Sequence, residues 1–243
     1  MPAFFISRDE IDGNRVTITG ELHHHLSGSL RIKPGDDLLL PEEGVRRHRA
    51  EVVSVDRKRL VATIRETTPA AHRGPELGLA LAILKHDPMD WVIQKATELG
   101  VATIQPLITE RSTVRPDSQR AASQVARWHR IAREAAQQSE RWTIPTVGEP
   151  AGLEHWMRSR AGTSQTFVLH ERSTAPSLMT VAWDPSWTDV TLVIGPEGGW
   201  ADREIEALQR QGCRCVGLGK SILRAETAAL AAIIIAQGRL GRL

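Results

Sequence analysis

Two short loops carry most of the chemistry this chain can do. The first is Gly195-Pro196-Glu197-Gly198-Gly199-Trp200. Its glycines allow φ > 0 and a close backbone approach to a ligand, Pro196 stiffens the turn, and Glu197 puts a carboxylate in it. A phosphate cradle of the GxxxxGK[ST] kind would want a lysine and no acid, so a neutral or cationic ligand suits this loop better. Taken alone, the same residues also make an ordinary tight turn. The second loop, Leu218-Gly219-Lys220-Ser221-Ile222-Leu223-Arg224, leads into Ala225-Glu226-Thr227-Ala228.

The segments around both loops read as strand–loop–helix. Residues 190–194 are short, apolar and β-branched, as a buried parallel strand is, and residues 204–208 have helical spacing. Residues 213–218 read as a further strand, and residues 225–240 as an apolar helix. Upstream, residues 77–84 form a strand. A helix then starts at Asp87 with Pro88 in its first turn, carries Met89, Val92, Ile93, Ala96 and Leu99 as its stripe, and stops at Gly100. Residues 101–108 give another strand, and residues 117–139 a helix with Val125, Trp128, Ala132 and Ala135 inward. Residues 166–169 form a strand ending at His170. Such alternation predicts an α/β domain with a parallel sheet, which binds ligands at the carboxyl ends of its strands.

Residues 1 to about 70 read differently. Short strand candidates at 16–18, 37–40, 50–55 and 60–64, punctuated by Pro34-Gly35-Asp36 and Glu42-Glu43-Gly44, predict a small β-barrel or sandwich. The polar, turn-rich residues 66–76 read as the linker.

The pair "IGPEGGW" and "LGKSILRAETA" resembles the SPOUT class of S-adenosylmethionine-dependent RNA methyltransferases. Within it the chain is similar to the RsmE family, which methylates N3 of a uridine in 16S ribosomal RNA of the small subunit. Lys85 with "QKATELG" at 94–100, "TERS" at 109–112 and "EAAQQSER" at 134–141 extend the likeness over nearly the whole chain. The resemblance implies a PUA-like RNA-binding β-barrel domain over residues 1–72. It implies a SPOUT methyltransferase domain over 73–243, with a C-terminal trefoil knot that no periodicity argument reaches. The last helix would pack against a second subunit of a homodimer.

For the site, the resemblance implies S-adenosyl-L-methionine held by Leu169, His170, Gly195, Glu197, Gly198, Gly199, Leu218, Gly219, Ile222, Leu223, Arg224 and Thr227. Arg224 would stabilise a developing oxyanion on the base or hold a phosphate; a salt bridge to Glu226 that shapes the loop is its structural role, and both can hold. Glu197 would hold its loop, contact the cofactor or tune its charge. His170 invites a general-base role, but a lining role is preferred; no general base is assigned. Arg31, Lys33, Arg111 and Arg141 are the candidate RNA contacts. Arg127, Arg130 and Arg133, off the inward stripe of their helix, form a further phosphate-binding candidate or a solvated face. The alternatives are a SPOUT enzyme acting on a ribose 2′-oxygen and a non-catalytic RNA-binding assembly factor.

Three positions depart from the family pattern. Ala3 stands where an arginine usually precedes the aromatic pair, and Gly28 where one usually precedes the "LR" of Leu30-Arg31. Gln137 replaces a usual glutamate, which leaves Gln138 and Arg141 as candidates for the rim of the site.

Composition bounds the rest. The chain has 243 residues, 41% of them hydrophobic, enough for one large domain or two modest ones. Its formal net charge of +2 announces no nucleic-acid binder, so any RNA surface must come from clustering. Lysine is confined to Lys33, Lys58, Lys85, Lys95 and Lys220, and Arg46, Arg47 and Arg49 gather on the N-terminal β segment. The longest apolar run, 228–236, is too short to span a membrane, and residues 1–10 lack the pattern of a signal peptide, so a cytoplasmic protein is expected. Cys213 and Cys215 are too few for a disulfide framework and read as packing residues. His23-His24-His25 could ligate a metal, but no cysteine or acid stands at ligand spacing, so no metal is expected.

Overall fold

A computed structural model describes residues 3–70, 74–85, 87–116, 118–160, 164–171, 174–184 and 186–243. The chain divides into two compact units, Met1–His72 with Ala136–Ile144, and Arg73–Ala135 with Pro145–Leu243. The expected boundary between residues 72 and 73 lies outside the described residues.

The first unit is an antiparallel sheet of β1 (Ile11–Asp12), β2 (Arg15–Ile18), β3 (Asp37–Glu42), β4 (Arg46–Val55) and β5 (Leu60–Pro69), in the order β1-β2-β5-β4-β3. Strand alternation sends Val16, Ile18, Leu38, Leu40, Ala50, Val52, Leu60 and Ala62 to one core with Phe4, Ile6 and Leu26. Each fully buried Leu or Ile there contributes about 1.5–3 kcal/mol. A short helix, α1 (Gly20–His24), continues as a π-helical turn at His25–Ser29. His23 is buried with Nε2 on the Asp56 carbonyl at 3.0 Å, which gives this histidine a structural role. Among the described residues no three His, Cys, Asp or Glu side chains gather as a metal site.

Both long strands exceed their sequence-based ranges. Arg46, Arg47, His48 and Arg49 pair with Pro69, Thr68, Thr67 and Glu66, so the first part of the expected linker is strand. Charged and polar residues on both partners, His48 buried among them, hide this pairing from a hydrophobic pattern. Residues 136–144 join the unit through backbone bonds, Ala3 N–H to the Gln137 carbonyl at 3.0 Å and Gly44 N–H to the Trp142 carbonyl at 3.1 Å. The Arg47 guanidinium lies over the Trp142 ring at 4.3 Å and donates to the Glu140 carbonyl. Ala3 is fully buried, so the backbone there is a structural contact.

The second unit is a parallel sheet. Its strands are β6 (Glu76–Ala82), β7 (Thr103–Ile108), β8 (Thr146–Val147), β9 (Ala151–Gly152), β10 (Ser164–Leu169), β11 (Asp189–Ile194) and β12 (Arg214–Val216). The order is β12-β10-β11-β6-β7-β8, with β9 also on β7. Among the described residues its helices are α2 (Asp87–Glu98), α3 (Ser118–Gln138), whose last residues belong to the first unit, α4 (Leu153–Arg158), α5 (Asp202–Arg210) and α6 (Ala225–Arg239). The helix expected over 117–139 is α3, residue 117 lying outside the described residues. Ala80, Leu107, Val168 and Val193 share a core with Leu153, Trp156 and Met157 of α4 and Leu208 of α5. On α2, Met89, Val92, Ile93 and Ala96 are buried as the stripe predicts, and Gly100 ends it at φ 85°. Lys95 Nζ and Glu98 Oε1 pair at 2.8 Å, so that lysine is held within its own helix. Trp128, Ala132 and Ala135 of α3 are buried, whereas Val125 is half-buried. Among the described residues no helix is long and apolar enough to cross a membrane.

Candidate active site

The carboxyl ends of β10, β11 and β12 are neighbours in the sheet, and the chain leaves each of them by a loop. Those loops and the first turn of α6 enclose a cavity of about 440 Å³, within the size range of small-molecule sites. Its wall takes Leu169, His170 and Glu171 from the first loop, Ile194, Gly195, Pro196, Glu197 and Gly199 from the second, and Leu218, Gly219, Ser221, Ile222, Leu223 and Arg224 from the third. Ala225, Glu226 and Ala228 of α6 and Pro88 of α2 complete it.

The glycines of the second loop answer to protein neighbours as much as to a ligand. A Cβ on Gly195 would lie 2.9 Å from Cε2 of Trp200, whose indole Nε1–H donates to the Leu169 carbonyl at 2.9 Å. The bond fastens the end of β10 to the loop after β11. A Cβ on Gly198 would come within 3.3 Å of Cβ of Arg111. Gly199 has φ 70°, where L side chains are strained, and a Cβ there would meet Oε1 of Glu171 at 3.0 Å. Glu197 Oε1 accepts from the Lys85 N–H at 3.3 Å, which links the loop after β6 to the same place.

The wall is apolar on Leu169, Ile194, Leu218, Ile222 and Leu223 and acidic on Glu171, Glu197 and Glu226, with the Arg224 guanidinium among them. Arg224 is the N-cap residue of α6 and is exposed. No ion pair joins it to Glu226 among the described residues, so the expected salt bridge is not formed there, and Arg224 lines the cavity beside three carboxylate residues. His170 is fixed by its N–H on the Val216 carbonyl at 3.0 Å.

The sequence-predicted wall residues therefore meet in one place, apart from two. Gly198 turns towards Arg111 and Thr227 is exposed, and neither lines the cavity. Glu171, Ser221, Glu226 and Pro88 line it without having been singled out as ligand contacts. Glu171 follows His170 directly and Glu226 lies in the "RAETA" run, so both carried a local signal; Pro88 reaches the wall from the first turn of α2, far away in sequence, and carried none.

The candidate RNA contacts are placed as follows. Arg111 is exposed and donates from Nη1 to the Gly198 carbonyl at 3.1 Å. Arg31 is exposed with φ 55°, and Lys33 is exposed with its N–H on Asp36 Oδ2 at 2.7 Å. Arg141 is partly buried; desolvation pushes its guanidinium down to about 10, which leaves it charged at neutral pH. Arg127 Nε donates to Asp90 Oδ2 at 2.7 Å, and that bond raises its pKa, so it is a helix-to-helix tie, while Arg130 and Arg133 stay exposed. Gln137, Gln138 and Arg141 belong to the first compact unit.

Comparison with known proteins agrees with this geometry. Residues 72–237 match the family model of an RNA methyltransferase domain. Ribosomal RNA small subunit methyltransferase E of Bacillus subtilis is 31% identical over 223 residues, 89% of this chain and 87% of that protein. Its Synechocystis counterpart is 33% identical over 231 residues, 94% of this chain and 74% of that one. The crystal structure of ribosomal RNA small subunit methyltransferase E from Neisseria gonorrhoeae, bound to S-adenosyl methionine, superposes with a TM-score of 0.88 at 32% identity, covering 98% of each chain.

Proposed function

The chain belongs to the ribosomal RNA small subunit methyltransferase E family, and from that premise we propose that it transfers a methyl group from S-adenosylmethionine to N3 of a uridine in 16S ribosomal RNA. The observation that carries the reading is the single cavity wall that three adjacent strand ends build around Arg224. The cavity fits the cofactor. Leu169, Ile194, Leu218 and Leu223 offer apolar surface for a purine, and Glu171, Glu197 and Glu226 offer acceptors for ribose hydroxyls and an ammonium group. Bound there, the cofactor supplies an electrophilic methyl on a sulfonium.

Uracil N3 is a poor nucleophile while it holds its proton, and losing that proton puts negative charge on the base oxygens. Arg224, the cationic residue of the wall, stabilises that charge. The enclosed loops exclude water and align acceptor with donor for an in-line displacement. Because N3 lies on the pairing edge, the uridine must be unpaired or turned out of its helix.

Other features of the proposal have their own support. The β unit formed by residues 1–72 is read as a PUA-like RNA-holding domain, with Arg31 and Lys33 exposed on it and Arg141 on the segment that joins it. The segment 218–224 is read as the knotted part of a SPOUT domain over 73–243. The apolar surface of α6, where Ile234 is 49% exposed, is read as the face of a homodimer. Small ribosomal subunits as substrate place the work in the cytoplasm. The "QKATELG" segment and the N-terminal β unit favour base over ribose methylation.

The test is methyl transfer from labelled S-adenosylmethionine to small ribosomal subunits of a strain lacking this activity, followed by nucleoside analysis. N3-methyluridine is expected. Label on a ribose oxygen would replace the proposal with the 2′-O reading, and intact cofactor binding with no label on any RNA state would favour an assembly factor.

A further inference from the structure

The loop after β7, residues 109–112, contributes nothing to the cavity wall, yet it is tied to the loop that does. Glu204, in the first turn of α5, is only 9% exposed. Its Oε1 accepts the Glu110 N–H at 2.8 Å, and its Oε2 accepts the Ala201 N–H at 3.1 Å. Arg111 adds a second tie to the Gly198 carbonyl, and Arg203 Nε a third to Glu110 Oε2 at 2.7 Å.

The anchoring loop is itself braced. Thr109 N–H donates to Ser112 Oγ at 3.0 Å, the two hydroxyls meet at 2.8 Å, and Ser112 N–H returns to the Thr109 carbonyl at 3.2 Å. Thr109 and Ser112 are both buried. A braced loop on one side and a glycine-rich one on the other make the direction of control clear: residues 109–112 hold residues 195–201.

We infer that Glu204 is a positioning residue for the cofactor cavity: with Arg111, it clamps the glycine loop to the loop after β7 and so sets where Glu197 and Gly199 stand in the wall. The inference rests on reading that cavity as the cofactor site. A carboxylate is the group this place needs, because two backbone N–H donors on different loops converge on it and a carboxylate only accepts. Glutamine would turn an NH₂ towards one of those donors. Aspartate is one methylene too short to reach both. The plainer alternative is that Glu204 only caps α5 through Ala201; that role needs Oε2 and leaves the Oε1 bond to Glu110 without purpose.

The experiment compares wild type, Glu204→Gln, Arg111→Ala and the double variant by two measurements. Calorimetry with S-adenosylmethionine and no RNA keeps any RNA contact of Arg111 out of the result. Amide hydrogen exchange of the ligand-free protein reads the loop directly. Glu204→Gln is expected to weaken cofactor binding about tenfold, a part of what a lost hydrogen bond to a charged group can cost. Arg111→Ala should weaken it less, and the double variant by less than the product of the two, as members of one clamp do. Exchange should speed up at Glu110 and at 198–201 while residues 206–210 stay protected. Wild-type affinity and wild-type loop exchange in a folded Glu204→Gln protein would overturn the inference, as would effects that simply multiply. Should Glu204→Gln not fold, unchanged exchange at 198–201 in Arg111→Ala overturns it alone. Failure of the wild type to bind the cofactor would remove the functional reading instead, and loop exchange would still judge the clamp.

Discussion

Replacing Gly195 by alanine is the sharpest test of how the cavity is built. The added Cβ would sit 2.9 Å from Cε2, 3.0 Å from Nε1 and 3.2 Å from Cδ2 of the Trp200 indole. The first is closer than real Cβ contacts come and the other two are unusually tight, and the indole is no flexible chain end. It is buried and tied by Nε1–H to the Leu169 carbonyl. Overpacking of this kind costs about 1–3 kcal/mol. Moving the indole also strains or breaks its hydrogen bond, about 1 kcal/mol more. A total of about 2–4 kcal/mol lowers the melting temperature of a domain this size by roughly 5–15 °C. Leu169 and Gly195 both line the cavity, so S-adenosylmethionine affinity should fall as well, by roughly a factor of ten or more. Thermal denaturation and calorimetry measure the two effects. A smaller ring relieves the clash, so Gly195→Ala should cost less in a Trp200→Phe background than in the wild type, a departure from additivity that contacting residues show. A melting point within a degree of wild type, with unchanged affinity, would refute the packing argument. Equal costs in both backgrounds would place the damage elsewhere.

Three further outcomes are expected. Arg224→Ala should lower kcat by about 10²-fold or more while calorimetric cofactor affinity changes little, because its contribution comes mainly as charge develops on the base; equal losses in binding and turnover would make it a cofactor anchor. His48 in the β unit is buried, with Nδ1 at 2.9 Å from Thr67 Oγ1, and desolvation lowers its pKa despite the Glu42 carboxylate nearby. Its folded pKa lies below the unfolded value of about 6.5, so the unfolded chain takes up the proton first and stability falls as pH drops through and below that value. Denaturation midpoints followed from pH 7.5 to 5.5 should show that slope, and His48→Gln should flatten it. If α6 forms the proposed homodimer face, Ile234→Asp, which places a charge on its exposed apolar surface, should shift sedimentation from dimer to monomer; an unchanged sedimentation coefficient would count against that face.

Much of the site was legible because it is local. Gly195 to Gly199 and Leu218 to Arg224 sit directly after apolar strand segments, and a strand followed by glycine and then a helix is a pattern of neighbours in sequence. The strand–helix alternation of 77–108 was legible for the same reason. What escaped depended on distance. The short β8, β9 and α4 between residues 146 and 158 are too brief for periodicity to show. The Arg46–Arg49 part of β4 and the Glu66–Pro69 part of β5 carry charged and polar side chains in place of an apolar alternation, so only their partnership reveals them as strand. Trp142 belongs with the β unit because Arg47, about a hundred residues earlier, meets its ring. Gly195 lines the cavity as its place in the loop suggests, but the close approach of Trp200 to it has no local signal and was not legible.

The late arrival of residues 136–144 in the first unit bears on how the protein is made. Its hairpins, β3 with β4 and β4 with β5, are local and can form soon after synthesis. The unit is finished only when Gln137 and Trp142 have left the ribosome to meet Ala3, Gly44 and Arg47. At ordinary elongation rates that is about 4–15 s after residue 70. In the same interval β6 has only β7 beside it, because its other neighbour, β11, begins at Asp189. For that time the nascent chain carries an unfinished β unit and a parallel strand with one open edge, which makes this interval its greatest exposure to aggregation and to capture by chaperones.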